Sequence, residues 1–222
     1  MKAYAILSHR WRPGEVTFQD CDGISNITMK SEIKAKPGYK KLVGACTQAL
    51  KDGLTYVWVD TCCIDKSSSA DWYELSRVCY AYMDEVTYSA DPRARDSQFQ
   101  NSSWFNRGWT LQELVAPTEV VFFDAAWRVI GTKAALADLI ARITRIDERV
   151  LMDGMYAHQT NVAEKMSWAA GRRTTKQEDR AYSLLGIFGV NMPTLYGEGS
   201  RAFRRLQLQI IQIMLYRQGT CG

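Results

Sequence analysis

The sequence predicts an α/β fold, with a mostly parallel sheet in the first half of the chain and helices in the second half. Four short apolar segments are rich in β-branched and aromatic side chains, which favours strands. They lie at residues 4–8, 54–60, 79–83 and 119–124. Strands that alternate with helical segments are typical of a parallel sheet with flanking helices. We therefore predict a single domain over residues 1–222, in which residues 1–124 form an α/β core and residues 125–222 form a mainly helical subdomain packed on it.

The predicted strands differ in strength. Residues 54–60 form the strongest candidate because they are β-branched or aromatic almost throughout, as in a central parallel strand that is covered on both faces. Residues 4–8 form a short buried strand that ends in polar side chains. Residues 16–18 have only weak strand potential. The connection between residues 66 and 78 is shorter than a helical crossover between parallel neighbours usually requires, which predicts a short and irregular crossover.

The predicted helices follow from apolar spacing and from capping signals. Residues 38–52 form a helix with Gly53 at its end, and residues 109–115 form a short helix that Pro117 stops. Residues 133–146 have helical apolar spacing, and Asn161 is a candidate N-cap. Two further helix starts are a capping box at residues 175–178 and Ser200 before the last helix.

Composition limits the function classes. The chain has 222 residues and a net charge of +4, which is too small over this length to indicate nucleic-acid binding. No apolar run approaches the roughly 18 residues that a membrane span requires, and the N-terminus lacks the pattern of a signal peptide. The spacing of the six cysteines is not that of a small secreted scaffold, so we expect reduced thiols and a cytoplasmic location.

Polar residues follow the predicted strands, where ligands bind in an open parallel sheet. Ser8, His9, Arg10 and Trp11 follow the first strand. Asp60 and Cys62 follow the second, and Asp84 with Glu85 follow the third. A further turn and helix carry Arg107, Trp109 and Glu113. Carboxylates, guanidinium groups and tryptophans together favour a charged, aromatic ligand such as a nucleotide.

Several of these segments resemble the fungal heterokaryon incompatibility (HET) domain. The resemblance covers nearly the whole chain in order, and its blocks are long and rich in tryptophan. They are residues 4–11 (YAILSHRW), 57–65 (VWVDTCCID), 107–114 (RGWTLQEL), 166–169 (MSWA), 178–188 (EDRAYSLLGIF) and 195–199 (LYGEG). The resemblance implies non-self recognition between fusing hyphae and programmed cell death as an innate immune response.

A more distant resemblance is to Toll/interleukin-1 receptor (TIR) domains, which have a flavodoxin-like sheet. Residues 4–10 are similar to their first strand, and residues 109–114 are similar to the helix that carries the catalytic carboxylate in the NAD-cleaving members. This implies Glu113 as the catalytic residue of an NAD⁺ glycohydrolase, with NAD⁺ as substrate and without a further cofactor. We also expect no metal, because the two histidines, His9 and His158, are far apart in the sequence and no Cys-x-x-Cys motif is present. Substrate binding would fall to the other polar residues, namely Ser8, His9, Arg10, Trp11, Asp60, Cys62, Arg107 and Trp109.

The resemblance also implies partners: further copies of the chain on activation, and an upstream sensor or other incompatibility proteins.

Three alternatives remain open at this point. Thr110 and Glu113 have the spacing of a capping box, in which Glu113 would only bond the Thr110 backbone. Cys62 with His9 could form a nucleophile and its base, although adjacent cysteines after a buried strand are more often core residues. The chain could also be a non-enzymatic adaptor that signals by homotypic self-association.

Overall fold

The computed structural model describes residues 2–21, 31–63, 71–87 and 91–219. The chain divides into two compact units. The first, here called the sheet unit, consists of Met1–Trp104 and Pro117–Leu136. The second, the helical unit, consists of Phe105–Ala116 and Ala137–Gly222.

The sheet unit contains a five-stranded, mostly parallel sheet. Its strands are β1 (Ala5–His9), β2 (Val57–Val59), β3 (Val78–Tyr82), β4 (Val120–Phe123) and β5 (Val129–Thr132). Their order is β2-β1-β3-β4-β5, and only the β4–β5 pair is antiparallel. This is the strand order of flavodoxin-like sheets, whose strands are otherwise all parallel. The α/β class and the parallel sheet are therefore confirmed, while the TIR-like assignment stays a prediction.

The position of β2 corrects one expectation. The sequence favoured residues 54–60 as a central strand, but β2 pairs only with β1 and lies at an edge of the described sheet. Its ladder covers three residues, Val57 to Val59. Tyr56, directly before this ladder, is exposed, so the run at residues 54–60 is not covered on both faces throughout. The central positions belong to β1 and β3, whose residues are almost all buried.

Five helices belong to the sheet unit. A 3-10 helix (Ser103–Asn106) begins in the sheet unit and continues into the first residues of the helical unit. The five are α1 (Phe18–Cys21), α2 (Ser31–Lys34), α3 (Pro37–Lys51), α4 (Asp60–Cys63) and α5 (Asp71–Glu74). The α3 prediction is confirmed, and Gly53 follows its end with a φ of 74°. Part of the connection between residues 66 and 78 lies outside the described residues.

The weak strand at residues 16–18 is wrong, because Phe18 begins α1. The Asp20 carboxylate accepts hydrogen bonds from the Thr17 amide and hydroxyl, which is the reciprocal half of a capping box. Lys36 also pairs with Asp20. The Lys36 hydrogen bond and those from Thr17 lower the pKa of Asp20 to about 2.

The core of the sheet unit forms where α3 packs on the sheet. Ala45 and Ala49 of α3 meet Leu7, Tyr80 and Phe123 of the strands. Next to this core, the backbone of α3 at Gly44 closely approaches the indole ring of Trp127. A Cβ atom on Gly44 would lie 2.0 Å from Nε1 of Trp127, so only glycine fits there without movement of the indole. Trp127 in turn stacks on Tyr82 at a centroid distance of 5.0 Å.

The helical unit contains eight described helices. They are α6 (Thr110–Val115), α7 (Ala137–Thr144), α8 (Glu148–Met152), α9 (Met155–Gln159), α10 (Val162–Ala170), α11 (Asp179–Tyr182), α12 (Leu185–Phe188) and α13 (Arg201–Gly219). The Asn161 cap is confirmed, since its side chain accepts a hydrogen bond from the Glu164 amide. The helix predicted from residue 133 begins only at Ala137, because β5 and a turn precede it.

The capping box predicted at residues 175–178 is wrong. Glu178 is the N-cap of α11, and no side chain caps that helix. Its carboxylate instead accepts hydrogen bonds from the amides of Gly197 and Gly199. These bonds, together with that from its own amide, lower the pKa of Glu178. Glu178 thus ties α11 to the turn before α13.

Within the described residues, no helix combines the length and the apolar character that a bilayer crossing requires.

Candidate functional site

The carboxyl ends of β1 and β3 lie side by side and carry a dense group of charges. In a sheet of this strand order, the direction of the connections reverses between β1 and β3, and ligands bind in the crevice outside these two ends. We call the group there the strand-end cluster. Its members are His9, Arg10, Trp11, Arg12, Glu15, Lys41, Asp60, Asp84 and Glu85.

Ion pairs join the end of β1 to the end of β3. Arg10 Nη1 lies 2.6 Å from Glu85 Oε1, and Arg12 Nε lies 2.6 Å from Asp84 Oδ2. Ser103 donates to the Glu85 carboxylate from its amide and its hydroxyl. Burial acts to raise the pKa of Glu85, but the hydrogen bonds from Ser103 and Arg10 outweigh it and lower that pKa. The carboxylate is therefore held ionised.

His9 is buried between two carboxylates. Its Nδ1 lies 3.8 Å from Asp60 Oδ1, and its Nε2 lies 4.0 Å from Glu15 Oε2. Lys41 of α3 donates to Glu15 and to the carbonyl of Arg10. Burial lowers the pKa of Lys41, although the pair with Glu15 opposes this. The cluster therefore extends from the sheet to α3.

Asp60 also holds a tryptophan. Trp11 is 44% exposed, and its Nε1 donates to Asp60 Oδ2 at 2.7 Å. The second oxygen of Asp60 accepts from the amide of Thr61 at 2.8 Å, in the first turn of α4. The aromatic face of Trp11 is thus presented to solvent beside a carboxylate, an arrangement suited to stacking a ligand ring.

Ser8 lies deeper than the rest of the predicted site. Its side chain is fully buried, and its hydroxyl accepts a hydrogen bond from Nε1 of Trp104 at 2.8 Å. Trp104 packs edge-on against Phe122 and is 3% exposed, so it is a core residue. Ser8 therefore has a structural bond in this structure, and its predicted contact with a ligand stays a prediction.

The environment of Cys62 is unfavourable for the alternative in which Cys62 acts as a nucleophile. Its thiol donates to the carbonyl of Val16 at 3.3 Å. Burial raises the pKa of Cys62 to about 12. A thiol needs to ionise in order to attack, so Cys62 is a poor nucleophile near neutral pH.

Glu113 lies on α6 of the helical unit. All six residues of this helix are buried, and Glu113 is 9% exposed. Glu113 interacts electrostatically with the guanidinium of Arg172 and acts to raise the pKa of Arg172. Burial is the larger effect and lowers the pKa of Arg172 to about 10. The Glu113 carboxylate and the Arg172 guanidinium therefore lie in a poorly hydrated environment.

Arg172 also fixes the turn before α6. Its Nη1 donates to the carbonyl of Arg107 and to the hydroxyl of Thr110, at 3.0 Å each. The backbones of Arg107 and Arg173 form an isolated parallel bridge, with the Gly108 amide bonded to the Arg173 carbonyl at 2.8 Å. A Cβ atom on Gly108 would come within 2.4 Å of the Thr174 side chain.

A bond from Glu113 to the Thr110 backbone stays a prediction, but Thr110 is not the N-cap of α6, the position that a capping box requires. That position belongs to Trp109, whose backbone is helical and whose side chain makes no cap bond. Thr110 lies inside the helix and donates its hydroxyl proton to the Arg107 carbonyl. Trp109 itself is half-buried.

The predicted site residues thus fall into two groups. Ser8, His9, Arg10, Trp11, Asp60 and Cys62 belong to the sheet unit, and Arg107, Trp109 and Glu113 belong to the helical unit. Sequence reasoning missed Lys41, although the buried stripe of α3 includes it in helical register with Ala45 and Ala49. It also missed Glu15 and Arg172, for which no sequence pattern gives a signal. Within the described residues, no three histidine, cysteine or acidic side chains are placed to hold a metal ion.

Comparison with known proteins agrees with the resemblance in the sequence. Residues 4–78 match the family model described as heterokaryon incompatibility protein (HET). The chain is 41% identical over 227 aligned residues to the vegetative incompatibility protein HET-E-1 of Podospora anserina. The alignment covers 93% of this chain but only 16% of that much longer protein. No solved structure matches the chain. The family-model match and the 41% identical relative together support the interpretation of this chain as a HET domain protein.

Proposed function

We propose that the chain is an effector domain of heterokaryon incompatibility that triggers cell death by hydrolysing NAD⁺, with Glu113 as the catalytic carboxylate. The relative named for vegetative incompatibility supports the biological role. The observation that carries the enzymatic part is the buried Glu113 carboxylate, set on a short helix and accompanied by the buried guanidinium of Arg172.

The reaction suits a site with one fixed carboxylate. The bond between the ribose C1′ and the nicotinamide nitrogen breaks, and its electron pair leaves with nicotinamide, which becomes neutral. Water adds its oxygen to C1′ and releases one proton, so the products are nicotinamide, ADP-ribose and H⁺. The nicotinamide is already a cationic leaving group, so the site needs no strong acid. Its task is to stabilise the positive charge that develops on the ribose, and a preorganised carboxylate does this best in a water-poor site.

Arg172 is a positioning residue in this proposal. It holds the Arg107 carbonyl and the Thr110 hydroxyl, and thereby the first turn of α6. A helix of six residues would be unstable alone, so such external bonds decide where Glu113 is held. Trp109, half-buried at the start of α6, offers an aromatic surface for a substrate ring, and Arg107 offers a cation for the diphosphate.

For the sheet unit, we propose nucleotide binding at the strand-end cluster. Arg10 and Arg12 are half-exposed guanidinium groups at the end of β1, and each pairs with a carboxylate of Asp84 or Glu85. The oxygens of a diphosphate would replace these carboxylates as acceptors of hydrogen bonds from the two planar guanidinium groups. Trp11 supplies the exposed ring beside them.

The experiment is release of nicotinamide from NAD⁺ by the purified chain, followed by chromatography at several protein concentrations. Glu113→Gln keeps the shape of the side chain and removes its charge, so we expect a loss of about 100-fold in rate. Glu148→Gln removes an exposed carboxylate from the same unit and serves as the matched control. If wild type and Glu113→Gln release nicotinamide at the same rate, the enzymatic proposal is wrong.

A second candidate is a non-enzymatic adaptor that assembles with further copies of itself. The observation that favours it is an apolar stripe on α13, where Leu208, Ile211 and Leu215 are each more than half exposed at i, i+3 and i+7 spacing. We expect Ile211→Glu to shift the chain towards monomer in sedimentation experiments. Met152→Glu, a charge on a similarly exposed apolar residue of α8, should leave the distribution unchanged. A monomeric wild type at all concentrations would exclude this candidate.

A further inference from the structure

A cleft of about 330 Å³ opens on the helical unit beside the start of α13. Its walls are Gln177, Arg180, Ser200, Phe203, Arg204 and Gln207. The last four of these have the i, i+3, i+4, i+7 spacing of a single helix face, and Gln177 with Arg180 form the opposite wall at the start of α11. The volume lies within the range of small-molecule sites. Glu113 is not part of its lining.

The cleft carries two positive charges that the described chain does not neutralise. Arg180 and Arg204 are exposed, and within the described residues neither guanidinium has a carboxylate within 4 Å. The nearby acidic residues are engaged elsewhere. Glu178 binds the amides of Gly197 and Gly199, and Asp179 accepts a hydrogen bond from Tyr196.

The third acidic neighbour, Glu198, is also engaged. It accepts hydrogen bonds from the hydroxyl of Tyr182 and from Arg205, so it neutralises Arg205 and not Arg204. The arginines that follow Ser200 therefore have different roles. Arg205 forms a structural ion pair with Glu198, Arg204 lines the cleft, and Arg201 is exposed outside the cleft.

A smaller cavity of about 70 Å³ adjoins the cleft, because Arg180 and Phe203 line both. Arg172 lies in its wall. The Nη2 atom of this guanidinium is buried and donates no hydrogen bond to any described residue. A buried donor without an acceptor is costly, so an oxygen-rich ligand or water would be favoured next to it. This is a second sign, independent of the exposed arginines, that the region accepts an anion.

We propose that this cleft binds a small phosphate ester that carries a planar ring. Arg180 and Arg204 supply the planar donors that pair with phosphate oxygens, and the Ser200 hydroxyl and the glutamine amides add neutral donors. Phe203 supplies an apolar surface for the ring, and the guanidinium of Arg180 already lies 5.8 Å from its centroid. The site is distinct from the proposed catalytic carboxylate, so it does not depend on NAD⁺ hydrolysis.

The test is isothermal titration calorimetry of the whole chain with three separate probes: adenosine monophosphate, inorganic phosphate and adenosine. We expect adenosine monophosphate to bind more tightly than either part alone. Arg204→Glu should weaken its binding by about tenfold or more, since it replaces a phosphate donor by a repelling charge. Arg180→Gln should weaken it in the same direction.

Arg201→Glu is the matched control, because it makes the same charge change on the same helix outside the cleft. We expect it to change the affinity less than twofold, and circular dichroism checks that each variant is folded. The proposal is overturned if adenosine monophosphate binds no better than inorganic phosphate, if it does not bind at all, or if Arg201→Glu weakens binding as much as Arg204→Glu. Repeating the titration with Glu113→Gln should give the wild-type affinity, whatever that variant does to NAD⁺.

Discussion

Replacing Trp104 by alanine is expected to lower the free energy of unfolding by about 3–5 kcal/mol, the usual cost of deleting a large buried aromatic side chain. Trp104 is 3% exposed and packs edge-on against Phe122, with ring centroids 5.6 Å apart. Its indole also donates to the buried hydroxyl of Ser8. The substitution removes a large apolar volume beside Ser8 of β1 and Phe122 of β4, and also a buried hydrogen bond. Urea denaturation followed by circular dichroism measures the change.

Trp11→Ala is the matched control for this prediction. Trp11 also donates a hydrogen bond to a side chain, Asp60, but it is 44% exposed. Its loss should cost no more than about 1 kcal/mol, because nearly half of its surface is already in water. Equal destabilisation by the two substitutions would contradict the assignment of Trp104 to the core and of Trp11 to the strand-end cluster.

Lys133 is expected to make stability rise with pH in the alkaline range. The side chain is 3% exposed and donates to the carbonyl of Pro117. Burial lowers the pKa of Lys133 from 10.5 to about 8. Between these two values the unfolded chain holds a proton that the folded chain has released, so a rise in pH favours the folded state. The gain is roughly 3 kcal/mol when it is complete, since one pKa unit corresponds to about 1.4 kcal/mol.

The comparison with Lys133→Met isolates this effect, because the cysteines and tyrosines titrate in both proteins. The measured quantity is the difference in unfolding free energy between wild type and variant at pH 7 and pH 10. The wild type should gain on the variant as the pH rises. A difference that stays constant, or that moves in the variant's favour, would show that Lys133 is not buried as a charged group at neutral pH.

Local sequence patterns correctly predicted the elements whose burial follows from their own apolar residues. Residues 4–8 and 79–83 are apolar, and they became β1 and β3, the most buried strands of the sheet. The helix at residues 38–52 combined apolar spacing with a glycine at its end, and both features appear in α3. Hydrophobic runs and capping residues are local properties, so they identify such elements before any tertiary contact is known.

The errors arise where distant residues decide the outcome. The run at residues 54–60 predicted a central strand, but the position of a strand in a sheet depends on its neighbours. The β5 strand was missed because Val129 to Thr132 are few and half-exposed, and their pairing with β4 follows from the turn at residues 124–128. Glu178 had the spacing of a capping box, but the amides of Gly197 and Gly199 compete for it.

In the candidate site, too, local patterns predicted some features, whereas contacts between distant residues determined the others. Polar residues at strand ends predicted that His9, Arg10, Trp11 and Asp60 would lie near one another, and the strand-end cluster confirms this. Sequence alone could not foresee that Arg10 would pair with Glu85, because that contact depends on the register of β1 and β3. It also gave no sign that Arg172 would be buried near Glu113.

The most direct measurement is the NAD⁺ content of fungal cells that express the chain, followed together with their viability. We predict that NAD⁺ falls before viability does, and that Glu113→Gln prevents both changes while Glu148→Gln prevents neither. Death of cells whose NAD⁺ stays constant, or equal killing by Glu113→Gln, would contradict the assignment of Glu113 as the residue through which this domain acts.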